Sequence, residues 1–247
     1  MLEIKRLTIH SKTGPLLQDL SLQIHSNEIV ALIGASGCGK TSALKFTAGI
    51  LPPDLHPEGH LLLDGVPIRA PHPAISYQPQ SDALFPWLTI AENAALGLEI
   101  AGLSKRTARA QVLPLFAPFG LAGCEGKFPA ELSGGMRQRA AFLRTIVQDS
   151  RFVLLDEPFS ALDAVTRFRM QDWLLARLNE RPRGVLLVTH DLHEATGMAD
   201  RILVMAANPG RIIREIPVTT PRAQRSEAAL ADLRATLKTL LLKETSL

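Results

Sequence analysis

The sequence predicts an α/β fold built on a mostly parallel sheet, and three observations carry that expectation. Gly34-Ala35-Ser36-Gly37-Cys38-Gly39-Lys40-Thr41 follows the apolar run Ile29 to Ile33 and leads into helix-competent sequence, the strand, turn and helix context of a phosphate-binding loop. Phe152-Val153-Leu154-Leu155 and Val185-Leu186-Leu187-Val188 are short unbroken apolar runs, as strands covered on both faces require. The first of these ends in Asp156-Glu157, which puts two carboxylates at the carboxyl edge of a parallel sheet, where open α/β folds bind ligands.

Taken in order, residues 1–33 alternate short apolar segments with turn signals, as in Leu2-Glu3-Ile4 and Leu20-Ser21-Leu22-Gln23-Ile24. They read as half-buried antiparallel strands. Gly59 to Leu63 and Val66-Pro67-Ile68 flank Asp64-Gly65, a dipeptide that supplies the positive φ of a tight hairpin turn. Residues 81–150 are rich in Ala and Leu, with apolar residues at helical spacing through Ile90, Ala94, Leu98 and Ile100, then Leu113 and Phe116, which predicts a helical insert. Beyond it come the two buried strands and one more at Ile202 to Met205. A terminal helix carries Leu230, Leu233, Leu237, Leu240 and Leu241 as an apolar stripe, read as packing on the domain. The expected organisation is a core of residues 1–80 and 151–218 with an antiparallel β-subdomain, an α-helical insert at 81–150 and a helical tail at 219–247.

Composition narrows the function classes. A chain of 247 residues, 46% apolar and 21% charged, buries a sizeable core. Its net charge is +3, and the Lys and Arg residues are scattered, so no nucleic-acid footprint is indicated. Two cysteines, Cys38 and Cys124, make a disulfide framework improbable and fit a reducing cytoplasm. Met1 to Lys5 lack a signal-peptide profile, and no run reaches the ~20 apolar residues that cross a bilayer. Contact with a membrane is expected to go through a partner.

The glycines of residues 34–41 let backbone N–H groups turn toward an anion, with Lys40 reaching the terminal phosphates, Thr41 offering a hydroxyl to Mg2+ and Ser42 extending the set. A nucleoside triphosphate is the expected ligand. Asp156 is placed to hold the metal and Glu157 to activate water for attack on the γ-phosphate. Leu132-Ser133-Gly134-Gly135-Met136-Arg137-Gln138 is a second element in which a hydroxyl and two glycines precede a helix, again a donor set for an anion. His190 ends an apolar strand, where an imidazole can hydrogen-bond toward the γ-phosphate.

The phosphate loop, Leu132-Ser133-Gly134-Gly135 and the Asp156-Glu157 strand, in that order, resemble the ATP-binding cassette family, the ATPase subunits of ABC transporters, over residues 1–218. Two further motifs join them: Ser160-Ala161-Leu162-Asp163 resembles the D-loop, and His190 in Val188-Thr189-His190-Asp191 resembles the switch histidine. The signature departs from the usual pattern by Met136 in place of Gln. The resemblance implies a P-loop NTPase (RecA-like) core and a Q-loop glutamine that touches metal and attacking water. Gln80 matches that glutamine, and Gln78 is its rival. Phe85-Pro86-Trp87, just beyond, is an apolar knob, read as an interface for a membrane subunit or as hinge packing.

The resemblance further implies ATP and Mg2+ as ligands and a head-to-tail homodimer. In that dimer Ser133, Gly134, Gly135 and Asp163 of one copy close over the nucleotide of the other. A separate integral membrane permease, and indirectly a periplasmic or extracellular substrate-binding protein, complete the assembly, with the chain at the cytoplasmic face of the inner (plasma) membrane of a bacterium. Leu84 to Thr89, Met136, Thr166 to Met170 and Asn208-Pro209-Gly210-Arg211-Ile212 most resemble the nitrate, sulfonate and taurine importer branch. One family feature is missing: the aromatic ring that stacks on adenine falls at Ser11, beside His10, and no Phe, Tyr or Trp occurs in residues 1–45. The rival from another class, a DNA-associated cassette ATPase of chromosome maintenance and repair, carries a long coiled coil between phosphate loop and signature. This chain has no sustained heptads there.

Overall fold

A computed structural model describes residues 1–245. β1 (Leu2–Ser11) and β2 (Gly14–Ile24) pair antiparallel, and β3 (Ile29–Gly34) delivers the chain through the glycine loop into α1 (Lys40–Ala48). β4 (His56–Leu63) and β5 (Val66–Pro67) form the hairpin expected at Asp64-Gly65, whose φ values of 52° and 80° are both positive, as a two-residue type I′ turn demands. β6 (Ile75–Gln78) leads to the helices α2 (Ile90–Ile100), α3 (Lys105–Val112) and α4 (Gly134–Ile146). Strands and helices then alternate through β7 (Phe152–Asp156), α5 (Ala164–Glu180), β8 (Gly184–Val188), α6 (Leu192–Met198) and β9 (Arg201–Ala206). β10 (Arg211–Pro217) and α7 (Ala231–Thr245) follow.

Two sheets result. The larger has the order β10-β9-β3-β8-β7-β6, parallel except for the antiparallel edge strand β10, and the smaller has the order β2-β1-β4-β5. Every residue of β7 and β8 is buried. Because side chains of a strand alternate in direction, these runs feed two different cores. Ile29, Ala31, Ile33, Val153, Leu155, Val185 and Leu187 pack with the helical layer, including Ile90, Ala94, Leu98, Phe116 and Phe142. Val30, Leu32, Phe152, Leu154, Leu186 and Val188 pack with α1 and the antiparallel sheet, through Leu44, Ile4 and Leu20.

The helical expectation over residues 81–150 needs one correction in its details. Ile90, Ala94 and Leu98 line up at i, i+4 and i+8 and are buried, whereas Ile100 is 79% exposed and Leu113 is also exposed. Two residues beyond Leu98, Ile100 is rotated about 200° around the helix from it, so it faces solvent. Strands β6 and β10 extend the sheet beyond what apolar runs revealed. β6 is only four residues long and interleaves Ser76 and Gln78 with Ile75 and Tyr77, and β10 is a half-exposed edge. In the tail, Leu230 and Leu237 are buried, and Leu233, Leu240 and Leu241 pack on the same core, so the stripe is a packing face. Among the described residues no helix is long and apolar enough to cross a membrane. Cys38 and Cys124 are both buried free thiols.

Candidate active site

The loop between β3 and α1 owes its shape to glycine. Gly37 and Gly39 have φ of +81° and +92°, a region where a side chain is strained. A Cβ on Gly39 would also come within 2.4 Å of Leu17 Cδ2. Gly39 caps α1 without any side-chain acceptor, so the first N–H groups of the helix stay open to an external anion. Lys40 is only 7% exposed. Its Nζ donates to the carbonyls of Gly34 (2.8 Å) and Ala35 (2.9 Å) and faces Cys38 Sγ at 3.7 Å. A buried ammonium held by carbonyls, with no carboxylate partner among the described residues, is a charge arranged for an anionic ligand. Ser36 and Gly37 are exposed at the loop's tip, and Thr41 and Ser42 are half-buried in the first turn of α1.

β7 brings Asp156 beside this loop. Its carboxylate is 1% exposed, accepts Thr41 Oγ1 at 3.1 Å through Oδ1 and accepts the Tyr77 hydroxyl at 3.3 Å through Oδ2. Burial raises its pKa, the two hydrogen bonds oppose the shift, and the charge of Glu157 reinforces it. The Tyr77 hydroxyl is itself pushed up by burial and by Asp156. A hydroxyl and a buried carboxylate are the hard oxygen donors that Mg2+ takes, together with water and phosphate oxygens. Among the described residues no cluster of three or more His, Cys, Asp or Glu can hold a metal by itself, so the donor set fits a cation carried in with a phosphate ligand.

Glu157 sits one residue past the strand at φ 47°, an unusual conformation for a non-glycine residue. Its backbone N–H donates to Val188 O at 2.9 Å, and its own carbonyl accepts Ser160 Oγ at 3.0 Å. Thus fixed, its Oε2 accepts Gln80 Nε2 at 3.2 Å and lies 3.2 Å from His190 Nδ1. Three residues from three separate loops meet at the sheet edge. Gln78 does not join them: it is fully buried, and its Oε1 accepts Thr145 Oγ1 at 2.7 Å.

Ser133 caps α4 by accepting Met136 N–H at 3.3 Å, and Asp163 caps α5 by accepting Thr166 N–H at 3.0 Å. Among the described residues neither is hydrogen-bonded to the 34–41 loop or to Glu157. Gly135 lies against the Ser160–Asp163 segment, where a Cβ would be 3.4 Å from Ala161 O. Several residues act in positioning, of which Gln138 and Arg137 belong to the Leu132–Gln138 element while Arg144 and Asn93 went unread in the sequence. Gln138 donates to Pro158 O at 3.2 Å. Arg144 donates to the carbonyls of Ala83 (2.8 Å) and Asp82 (3.0 Å), and Arg137 pairs with the Asp82 carboxylate at 2.8 Å. Buried Asn93 holds Phe85 N–H at 2.8 Å and donates to the carbonyls of Phe85, Leu88 and Thr89. For Arg144 and Asn93 the only available signal was their placement on α4 and α2 next to the motif segments. Phe85 and the 70%-exposed Trp87 stand on the loop that Asn93 holds, with ring centroids 5.4 Å apart.

Comparison with known proteins agrees with this geometry. A family model described as ABC transporter matches residues 17–160. The chain belongs to the ABC transporter family. The cassette is 40% identical to the taurine import ATP-binding protein TauB of Yersinia pestis bv. Antiqua over 216 residues, 87% of this chain and 84% of that protein. It is 36% identical to the formylaminopyrimidine import ATP-binding protein ThiZ of Halalkalibacterium halodurans, over 96% of this chain and 94% of that protein. Among solved structures it resembles a dimeric ATP-binding cassette in a post-hydrolysis state bound to ADP and Pi, with a TM-score of 0.79 and 28% identity over 90% of this chain and 100% of that one. The cassette binds ATP and is an ATPase.

Proposed function

We propose that the cassette is the ATP-hydrolysing subunit of an importer that moves a small anion of the nitrate, sulfonate or taurine type through a separate permease. The convergence of Gln80, Glu157 and His190 beside a phosphate loop is the observation that carries the hydrolytic part of this reading. The 40% identity to a taurine import protein supports the choice of solute. Residues 34–42 bind the triphosphate, with Lys40 turning from loop carbonyls to phosphate oxygens. Thr41, Asp156 and Gln80 hold Mg2+, which when bound neutralises charge on the phosphate oxygens. Glu157 orients and deprotonates the attacking water, while His190 and Gln80 fix the carboxylate. Two copies meet head to tail, so that Ser133, Gly134, Gly135 and Asp163 of one close over the nucleotide of the other. Phe85-Pro86-Trp87 is the knob that meets the permease, at the cytoplasmic face of a bacterial inner membrane, with a substrate-binding protein on the far side. The DNA-associated alternative gains no support, since α2 and α3 have 11 and 8 residues, too short for a coiled coil.

Whole-cell uptake tests the solute. Deleting the gene should abolish energy-dependent uptake of labelled taurine, alkanesulfonates or nitrate, and complementation should restore it. Unchanged uptake of all three in the deletion strain rejects the assignment.

A further inference from the structure

Next to the Glu157–His190 edge, with which it shares Arg167, Asp191 and Glu194, a cavity of about 440 Å³ opens between α5, α6 and the segment that leads into α7. Four arginines line it, and their charges are unevenly matched. Arg167 pairs with Asp191 at 2.9 Å and approaches Glu194 at 3.8 Å, and Arg234 pairs with Glu227. Arg222 reaches Asp200 through Nη2 at 2.6 Å, but its Nε is buried with no partner among the described residues. Arg225 has no carboxylate partner among them and donates only to the carbonyls of Thr220 and Gly197, each at 2.9 Å. Burial and the nearby Arg222 charge push the Arg225 pKa down. Asp200 pairs with Arg222 and also acts on Arg225, so this corner sets two guanidiniums against one carboxylate, while Asp172, Asp191, Glu194 and Glu227 line the rest of the cavity. The remaining wall is mixed: Leu175, Met198 and Leu230 line it beside Gln171, Asp172 and His193, and Phe168 stands at the cavity with 62% of its surface exposed. A volume of this size, convergent polar groups and an apolar patch at Phe168, Leu175 and Leu230 are attributes of a small-molecule site.

We propose that this cavity binds a small organic anion, its acidic headgroup on Arg222 and Arg225 and its apolar body against Phe168, Leu175 and Leu230. A planar guanidinium fork suits a carboxylate or sulfonate, whose oxygens accept in parallel. The ligand also touches what holds α6 in place. Arg225 grips Gly197 O, Arg234 donates to Thr196 Oγ1 at 3.1 Å, and Arg167 ties α5 to Asp191, the residue that caps α6 directly after His190. Occupancy therefore acts on turnover through the placement of His190 and leaves the nucleotide site open. This role is independent of which solute the importer carries, because binding is read on the isolated cassette.

Isothermal titration of the full-length protein with butanesulfonate, and separately with inorganic sulfate, tests the proposal. Saturable butanesulfonate binding, tighter than that of sulfate, is expected. Arg225→Gln should weaken it by about 10-fold or more, the typical loss for one charge-assisted hydrogen bond. Phe168→Ala, at an exposed position, should weaken butanesulfonate but not sulfate and leave ATP affinity unchanged. Saturating butanesulfonate should alter kcat for ATP with KM unchanged. No saturable binding, equal affinity for sulfate, or undiminished affinity in both variants overturns the site. Binding that leaves kcat untouched, or that raises KM for ATP in competition, overturns the link to His190.

Discussion

Gln80 and Glu157 are 77 residues apart in the chain, yet Gln80 Nε2 donates to Glu157 Oε2 across 3.2 Å. His190 closes on the same oxygen from the third loop. Glu157→Gln keeps the shape of the side chain and removes the carboxylate proposed as the base. ATP binding should be retained, turnover should fall by about 10²- to 10⁴-fold, and an ATP-bound dimer should accumulate on size exclusion. Turnover at the wild-type rate would falsify the assignment of Glu157.

Ser133 is proposed to act on the nucleotide of the other copy. Among the described residues it makes no hydrogen bond to its own chain's phosphate loop and caps α4. Ser133→Arg should leave the affinity of the monomer for ATP intact while preventing nucleotide-dependent dimerisation and hydrolysis. Loss of the cap costs about 1 kcal/mol, a shift of roughly 2 to 4 °C in Tm for a chain of this size. A larger loss of stability with parallel loss of ATP affinity would make the residue structural only.

Base recognition is the third point. Ser11 is tied up locally, with Oγ donating to Gly14 O at 2.9 Å, and His10 is half-buried with Nε2 4.0 Å from Glu58 Oε1. Without an aromatic ring, the ~1 to 3 kcal/mol of base stacking is absent unless the His10 imidazole provides part of it. ATP and GTP should therefore bind with comparable affinity, and any preference should vanish in His10→Ala. Fluorescence titration with both nucleotides decides it, and a strong ATP preference that survives His10→Ala rejects the idea.

Phe142 couples the helical layer to the hydrolytic edge. It is buried on α4, with rings of Phe119 at 5.8 Å and of Phe159, two residues after Glu157, at 5.4 Å. Phe142→Ala should destabilise the cassette by about 3 to 5 kcal/mol, read as a lower urea midpoint. It should also slow hydrolysis in the protein that remains folded, because Phe159 loses its support. A stable, fully active variant would show that the segment after Glu157 is held without α4.

Legibility from the sequence followed the kind of interaction involved. Strands β7 and β8 declare themselves because two-sided burial demands unbroken apolar residues, and residues 34–41 do so because left-handed backbone demands glycine at 37 and 39. β6 carried no such mark, since Gln78 Oε1 and Ser76 Oγ are hydrogen-bonded to Thr145 and Ser150, partners about 70 residues away. At the site, distance to Pro86-Trp87 favours Gln80 over its rival Gln78 as the Q-loop match, and the fold sends Gln80 to Glu157 and Gln78 into the core. Asn93, Arg137 and Arg144 act through backbone carbonyls or a loop carboxylate, contacts that leave no residue pattern.

The pH dependence of stability tests a buried acid next to the His190 segment. Glu194 is 4% exposed and accepts Thr189 Oγ1 at 2.7 Å, with Arg167 3.8 Å away. Facing it are also Asp191 and His190, and burial, the largest influence, raises its pKa above the ordinary value, Thr189, Arg167 and His190 opposing and Asp191 adding to the shift. The folded state thus holds the Glu194 proton more tightly than the unfolded chain does. Between the unfolded and the raised folded pKa the native state binds more protons, so stability falls as pH rises through that window. Below the unfolded value the contribution is complete, and above the folded value it is gone. Glu194→Gln keeps an acceptor for Thr189 and removes the titration. Urea midpoints followed upward from the ordinary glutamate pKa should decline less in the variant than in the wild type, the gap widening with pH and then levelling off. Parallel curves would mean that Glu194 ionises in the folded protein as it does in the unfolded chain.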